Sequence, residues 1–174
     1  MGTNPEPIVI DIETTPNMNM LGYMPDFFDV PEFTVPTNVK KAETIERKKA
    51  EKFVKWLSDA AIKHDQWIAK MALDMDYAQI TAIGIGIGLD TEPQTFIVHN
   101  EEEEREILSY AWGLIGYSWA PVIGYNLIGF DLPILKRRAW TLGIKPEGPR
   151  MIEINRYSKE LIDLKEWSFW LCCE

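Results

Sequence analysis

Asp11 and Glu13 stand two residues apart in PIVIDIETTP, residues 7 to 16, inside a run that otherwise reads as a buried strand. A strand turns residues i and i+2 to one face, so both carboxylates point the same way, about 7 Å apart along the chain. Ile8, Val9, Ile10 and Ile12 make both faces of the strand read as apolar, which predicts a central strand whose acids are poorly solvated. Two like charges in such a place raise one pKa unless a cation neutralises them, and magnesium or manganese suits carboxylate oxygen. Two such ions about 4 Å apart lower the pKa of an attacking water and stabilise the leaving oxygen of a phosphodiester, with no protein nucleophile. The bland reading of a lone D-x-E is a surface edge, or acids that accept hydrogen bonds from a following turn. Asp131, at the end of GYNLIGFD, is the best further acid for such a site. It also stands where the helix starting near Pro133 wants an N-cap.

Elements able to position these acids follow from the periodicity. Residues 16–38 carry Pro16, Pro25, Pro31 and Pro36 and read as an irregular excursion. Residues 40–62 lack Gly and Pro and space Ile45, Phe53, Leu57, Ala60 and Ala61 as a helix does. Lys40, Lys41, Arg47, Lys48, Lys49, Lys52 and Lys55 form its solvated face, or a face that meets phosphate. QITAIGIGIG, 79–88, is a strand whose glycines suggest close approach of neighbouring backbone. TFIVH, 95–99, is the next, so the first three strands are expected as an antiparallel meander. Asn100 before EEEEREILSYAWGLI reads as an N-cap with carboxylates in the first turn, which accounts for the acidic run without a metal. PVIGYNLIGFD, 121–131, is a strand running into a polar loop, followed by a helix stopped at Gly143. The remainder, through RYSKELIDLKEWSFWLCCE, is helix-tending.

The 174 residues, 46% of them apolar with seven Trp, suit one globular domain. A net charge of −9 is the wrong sign for holding nucleic acid by charge neutralisation alone, so such a role needs local basic patches or bound cations. Cys172 and Cys173 are adjacent, a spacing for neither a zinc knuckle nor a disulfide framework. With no signal-like segment and no apolar run long enough to span a bilayer, the expected location is cytoplasmic.

VIDIET at 9–14 together with GYNLIGFDLPIL at 124–135 resembles the first and second motifs of the DEDD-type 3′-5′ exonucleases. In detail the pair resembles the proofreading exonuclease domain of family B DNA polymerases and its stand-alone phage and microbial relatives. MALDMDYAQITAIGIGIG at 71–88 and IDLKEW at 162–167 resemble further parts of that domain. The resemblance covers most of the chain. It implies an α/β, RNase H-like fold: a mixed five-stranded sheet, meander first and parallel strands after, with helices on both faces and an irregular plus helical insertion at about 16–70. It also implies Asp11, Glu13 and Asp131 as catalytic, metal-binding acids for two Mg²⁺ or Mn²⁺ ions. Thr14, Asn126 and Phe130 are implied at the substrate, Phe130 stacking on a terminal base or serving as a core aromatic. Lys136, Arg137 and Arg138 meet backbone phosphates or form a solvated helix face.

The family's third motif, a Tyr or His a few residues before a final Asp, is absent from this sequence. His64 and His99 both precede the second motif and read as ordinary satisfied histidines. Tyr157 and Asp163 do not have the spacing, and Asp163 is a stand-in ligand or a capping residue. Three readings follow: a C-terminally truncated enzyme of impaired activity, an enzyme with a substitute acid, or a fold that binds without cleaving. The leading expectation is a two-metal exonuclease releasing nucleoside monophosphates from 3′ ends of single-stranded DNA in replication or repair, with RNA left open as substrate. The alternative is a non-catalytic nucleic-acid or protein-binding module; a small-molecule phosphoesterase is a third class.

Overall fold

The computed structural model describes residues 5–35, 41–88, 90–150 and 152–166. Lys40, Met151, Cys172, Cys173 and the end of the helix-tending tail lie outside them. The chain divides into two compact units, one made of the residues up to Asn17 with those from Met71 onward, the other Met18–Lys70.

The first unit is built on a five-stranded mixed sheet. Strands β1 (Ile8–Pro16), β2 (Ala78–Ile87) and β3 (Gln94–Ile97) form the expected antiparallel meander, and β4 (Val122–Gly124) and β5 (Leu161–Asp163) add on in parallel. The order is β3-β2-β1-β4-β5, so the strand that carries Asp11 and Glu13 is central. This mixed sheet with its helices has the RNase H-like arrangement. Residues 161–163 are a strand, which corrects the helix-tending reading of this stretch; Leu161 packs in the core, and pairing with β4 supplies the hydrogen bonds that a segment so short lacks by itself.

One face of the sheet is the core. Ile8, Ile10 and Ile12 of β1 and Ile83 and Ile85 of β2 are buried there, with Ile107, Leu108, Ala111, Trp112 and Ile115 from α2 (Glu101–Tyr117) and Ile134 and Leu135 from α3 (Leu132–Thr141). Burying such side chains contributes about 1.5–3 kcal/mol each, so this layer dominates the unit's stability. α2 starts as its sequence requires: Asn100 Oδ1 accepts from Glu103 N at 3.0 Å, and Glu103 reaches back to the amide of His99 at 2.8 Å. α3 ends one residue before Leu142, with Gly143 in the left-handed region at φ 69°.

The second unit carries a short 3-10 turn, Met18–Tyr23, and the long helix α1, Ala42–Met71, whose last residue already belongs to the first unit. α1 runs nine residues past the stretch that periodicity alone marked, since nothing between Lys63 and Met71 breaks a helix. Within this unit Phe33, Phe53 and Trp56 make mutual ring contacts.

Candidate active site

The site lies where β1 and β4 part. They pair in parallel only at Ile8 with Val122 and Val9 with Ile123. Gly124 then passes so close to β1 that a Cβ on it would fall 2.7 Å from the Ile10 carbonyl oxygen, which is why this position is glycine. Beyond it the chain winds through Asn126, left-handed at φ 56°, into one wide π-helical turn, Leu127–Asp131, that runs straight into α3. The polar loop expected here is therefore a helical turn. Gly129 is required in it, because a Cβ there would lie 2.6 Å from Asn126 Oδ1.

This turn delivers Asp131 to β1. Asp131 is 2% exposed, and its Oδ1 accepts from the backbone amide of Ile12, between Asp11 and Glu13, at 3.1 Å. Burial pushes its carboxyl up to about 6, and the charges of Asp11 and Asp163 push the same way, against the Ile12 hydrogen bond. Asp11 and Asp131, far apart in sequence, are thus brought to one end of the sheet.

Asp11 and Glu13 themselves are exposed, which corrects the expectation of poor solvation. The second face of the strand, which Val9 makes apolar in sequence, is only partly covered, whereas the isoleucine face packs with α2 and α3. On the acid face β1 lies against Gly84 and Ala82 of β2, opposite Asp11 and Glu13. A Cβ on Gly84 would stay 3.7 Å from the Asp11 carbonyl, an ordinary contact, so these glycines do not mark a close backbone approach; they keep the surface beside Asp11 low.

Among the described residues no three His, Cys, Asp or Glu side chains are grouped closely enough to hold a metal ion. The donor set nevertheless fits a hard divalent cation in kind: Asp11, Glu13 and Asp131 would offer it carboxylate oxygens, and no ion pair to Asp11 or Asp131 occurs among the described residues.

No family model matches the chain, and no curated protein matches it.

Thr14 is half-buried and its hydroxyl donates to the Ala72 carbonyl. Asn126 Oδ1 accepts from Lys165 Nζ at 3.0 Å, bringing to this end of the sheet a cation that sequence reasoning did not single out. The only sequence signal for Lys165 was its place in IDLKEW. Phe130 is half-buried and packs against the core, while Tyr125, the other aromatic of GYNLIGFD, is 61% exposed. Asp163 is buried and occupied: Oδ2 accepts from Ile128 N at 2.9 Å and Oδ1 from Lys165 N at 3.0 Å, so it ties the π turn to β5 and caps the turn after it.

The basic run after Asp131 is divided three ways. Lys136 is exposed. Arg137 pairs with Asp76 at 2.7 Å and lies over the Trp140 ring. Arg138 is buried at 6% exposure and clamps Glu104, itself fully buried, through Nε and Nη2, both at 2.7 Å. Arg138 therefore neither meets phosphate nor lies on a solvated face, because its helical position points it at α2. His64 and His99 have Asp65 and Glu103 as partners at 3.2 and 3.0 Å.

Proposed function

We propose that the chain is a metal-dependent 3′-5′ exonuclease that hydrolyses phosphodiester bonds at the 3′ ends of single-stranded DNA and releases nucleoside monophosphates. The observation that carries this reading is the docking of buried Asp131 onto the β1 amide beside exposed Asp11, on a sheet of RNase H-like order. Asp11, Glu13 and Asp131 would hold Mg²⁺ or Mn²⁺, and the ions supply activation of water and stabilisation of the leaving oxygen. The protein's own part is to keep these carboxylates at the open end of the sheet and to present the chain terminus. Thr14 and Asn126 flank the acids with fixed side chains, and Phe130 offers part of its ring from the core. On this reading the chain works in the cytoplasm beside replication or repair proteins; among the described residues no helix is long and apolar enough to cross a membrane.

The test is single-stranded DNA labelled at its 5′ end, incubated with Mn²⁺ and either the parent protein or Asp11→Ala, with an RNA oligonucleotide alongside. A ladder shortening from the 3′ end with the parent alone supports the enzyme. Equal cleavage by Asp11→Ala refutes the metal site. A second reading, a module that binds nucleic acid or protein without cutting, draws on Asp163 being committed to backbone amides, which leaves the acid set short of a fourth member among the described residues. Retained binding without cleavage decides for it.

A further inference from the structure

In a chain of net charge −9, α1 carries seven of the 18 lysines and arginines, and they are not spread evenly round the helix. Lys48, Lys52, Lys55, Asp59, Lys63, Gln66 and Lys70 follow one another in steps of three or four, so they line one side of it. Five lysines against one acid run along that side for about 33 Å, at a rise of about 1.5 Å per residue. Lys52, Lys55, Lys63 and Lys70 are exposed and Lys48 is half-buried. The other acids of α1, Glu43, Glu46, Glu51 and Asp65, lie off this stripe, with Glu51 held by Arg47 at 3.7 Å.

Beside the stripe, α1 and the irregular segment before it border a cleft of about 480 Å³, a size at which small organic groups bind. Phe27 and Trp56 give the cleft aromatic surface, and contacts with Phe33 and Phe53 hold the Trp56 ring in place. Lys55 and Lys63 also line it, and so do Asp26, Asp29 and Asp59. The two kinds of surface suit different parts of one polymer. Ammonium groups at helical spacing suit backbone phosphates, and aromatic faces suit bases. Carboxylates repel phosphate but accept hydrogen bonds from base amino groups, so the acids of the cleft favour a base there.

We propose that the second unit holds single-stranded nucleic acid, its phosphates along Lys48, Lys52, Lys55, Lys63 and Lys70 and a base in the cleft against Phe27 and Trp56. The proposal deepens the exonuclease reading and rests on it for the strand being DNA. An anionic bilayer fits less well, because the exposed apolar residues Val54, Leu57 and Ala61 are bordered by Glu51 and Asp65 where a membrane helix has cations.

The test is fluorescence anisotropy of a labelled oligodeoxycytidylate with the whole chain, in chelator and across a salt series. The stripe variant changes Lys48, Lys55, Lys63 and Lys70 to Gln and spares Lys52, whose ammonium binds the Thr34 carbonyl. It is expected to flatten the slope of log affinity against log salt by about 3, since each phosphate contact to a single strand contributes about 0.7. A control that loses the same charge elsewhere, with Lys49, Lys145, Arg156 and Lys159 changed to Gln, is expected to keep the parental slope. Phe27→Ala is expected to weaken binding about tenfold at every salt concentration and to leave the slope alone. The proposal is overturned by a parent that does not bind, by a stripe variant with the parental slope, by an equal loss in the control, or by phosphatidylserine vesicles binding more tightly than the oligonucleotide. Parental affinity in Phe27→Ala removes the base from the cleft. Binding in chelator requires no cleavage, so a protein that shows this pattern yet cuts nothing in Mn²⁺ fails the exonuclease reading alone.

Discussion

Asp131 holds its position and its proton for opposing reasons. The Ile12 amide favours the carboxylate, while burial and the neighbouring charges of Asp11 and Asp163 favour the acid, and the acid gains ground up to a pKa of about 6. A folded-state value above the ordinary 3.8 means that the fold binds this proton more tightly than the unfolded chain does. The associated stabilisation is fully present below about pH 3.8 and is lost as pH rises through about 6, an effect on the order of 3 kcal/mol at most. Denaturant melts of the chelator-treated protein between pH 4 and 7 should therefore show the parent losing stability relative to Asp131→Asn, which keeps an oxygen for the Ile12 amide and carries no titrating proton. Parallel curves for the two would refute the assignment. If Asp131 joins a metal, saturating Mg²⁺ at pH 7 should remove the difference by stabilising the parent alone. No part of the Asp131 environment was legible beforehand: the candidate acid was visible in GYNLIGFD, but its burial depends on a π turn that no periodicity announces.

Two contacts between elements decide whether that turn is where it needs to be. The Glu104–Arg138 clamp joins α2 to α3 with both charges out of water. Removing Arg138 leaves the Glu104 charge buried with only the Ile80 amide, at 3.4 Å, as partner, so Arg138→Ala should cost about 3–5 kcal/mol in a denaturant melt, whereas Glu104→Leu combined with Arg138→Met, which leaves only that amide unsatisfied, should cost about 1–3 kcal/mol. Arg138→Ala unfolding at the parental midpoint would sink this account. Helix-start chemistry accounts for Glu103 in the acidic run EEEE, but the fourth member, Glu104, is a core residue. At the other junction, Gly124→Ala forces a methyl against the Ile10 carbonyl, and the backbone must separate or shift. The expected cost is about 1–3 kcal/mol, and, on the proposed function, the loss of nuclease activity should be larger than the melt alone explains, because β4 aims the turn that carries Asp131. A variant with parental melt and parental activity would show that the strands have slack there.

Across the chain as a whole, a charge of −9 opposes any polyanion. On the proposed function, nucleic-acid affinity is therefore expected to depend on divalent cation beyond simple ionic strength. In fluorescence anisotropy with a labelled oligonucleotide at constant ionic strength, replacing Na⁺ by Mg²⁺ should tighten binding, and chelation should reverse it. Asp11→Ala should blunt the response; an identical response in that variant would detach the cation effect from β1. The net charge was readable from the sequence, and so was the meander, since alternation and turn residues are local properties. The division into two units at Met18 and Lys70 rests on which segments touch.

By itself the sequence determined that β1 is a central strand, that two acids share one of its faces, and that Asp131 ends a strand-to-helix junction. Those are consequences of spacing, which travels with the chain. Only the tertiary structure decided which acids keep their water. Asp11 and Glu13 keep it because α2 and α3 cover the isoleucine face, and Asp131 loses it because a five-residue turn folds it onto the Ile12 amide. Solvation is set by what packs alongside, and residues far apart in sequence supply that packing.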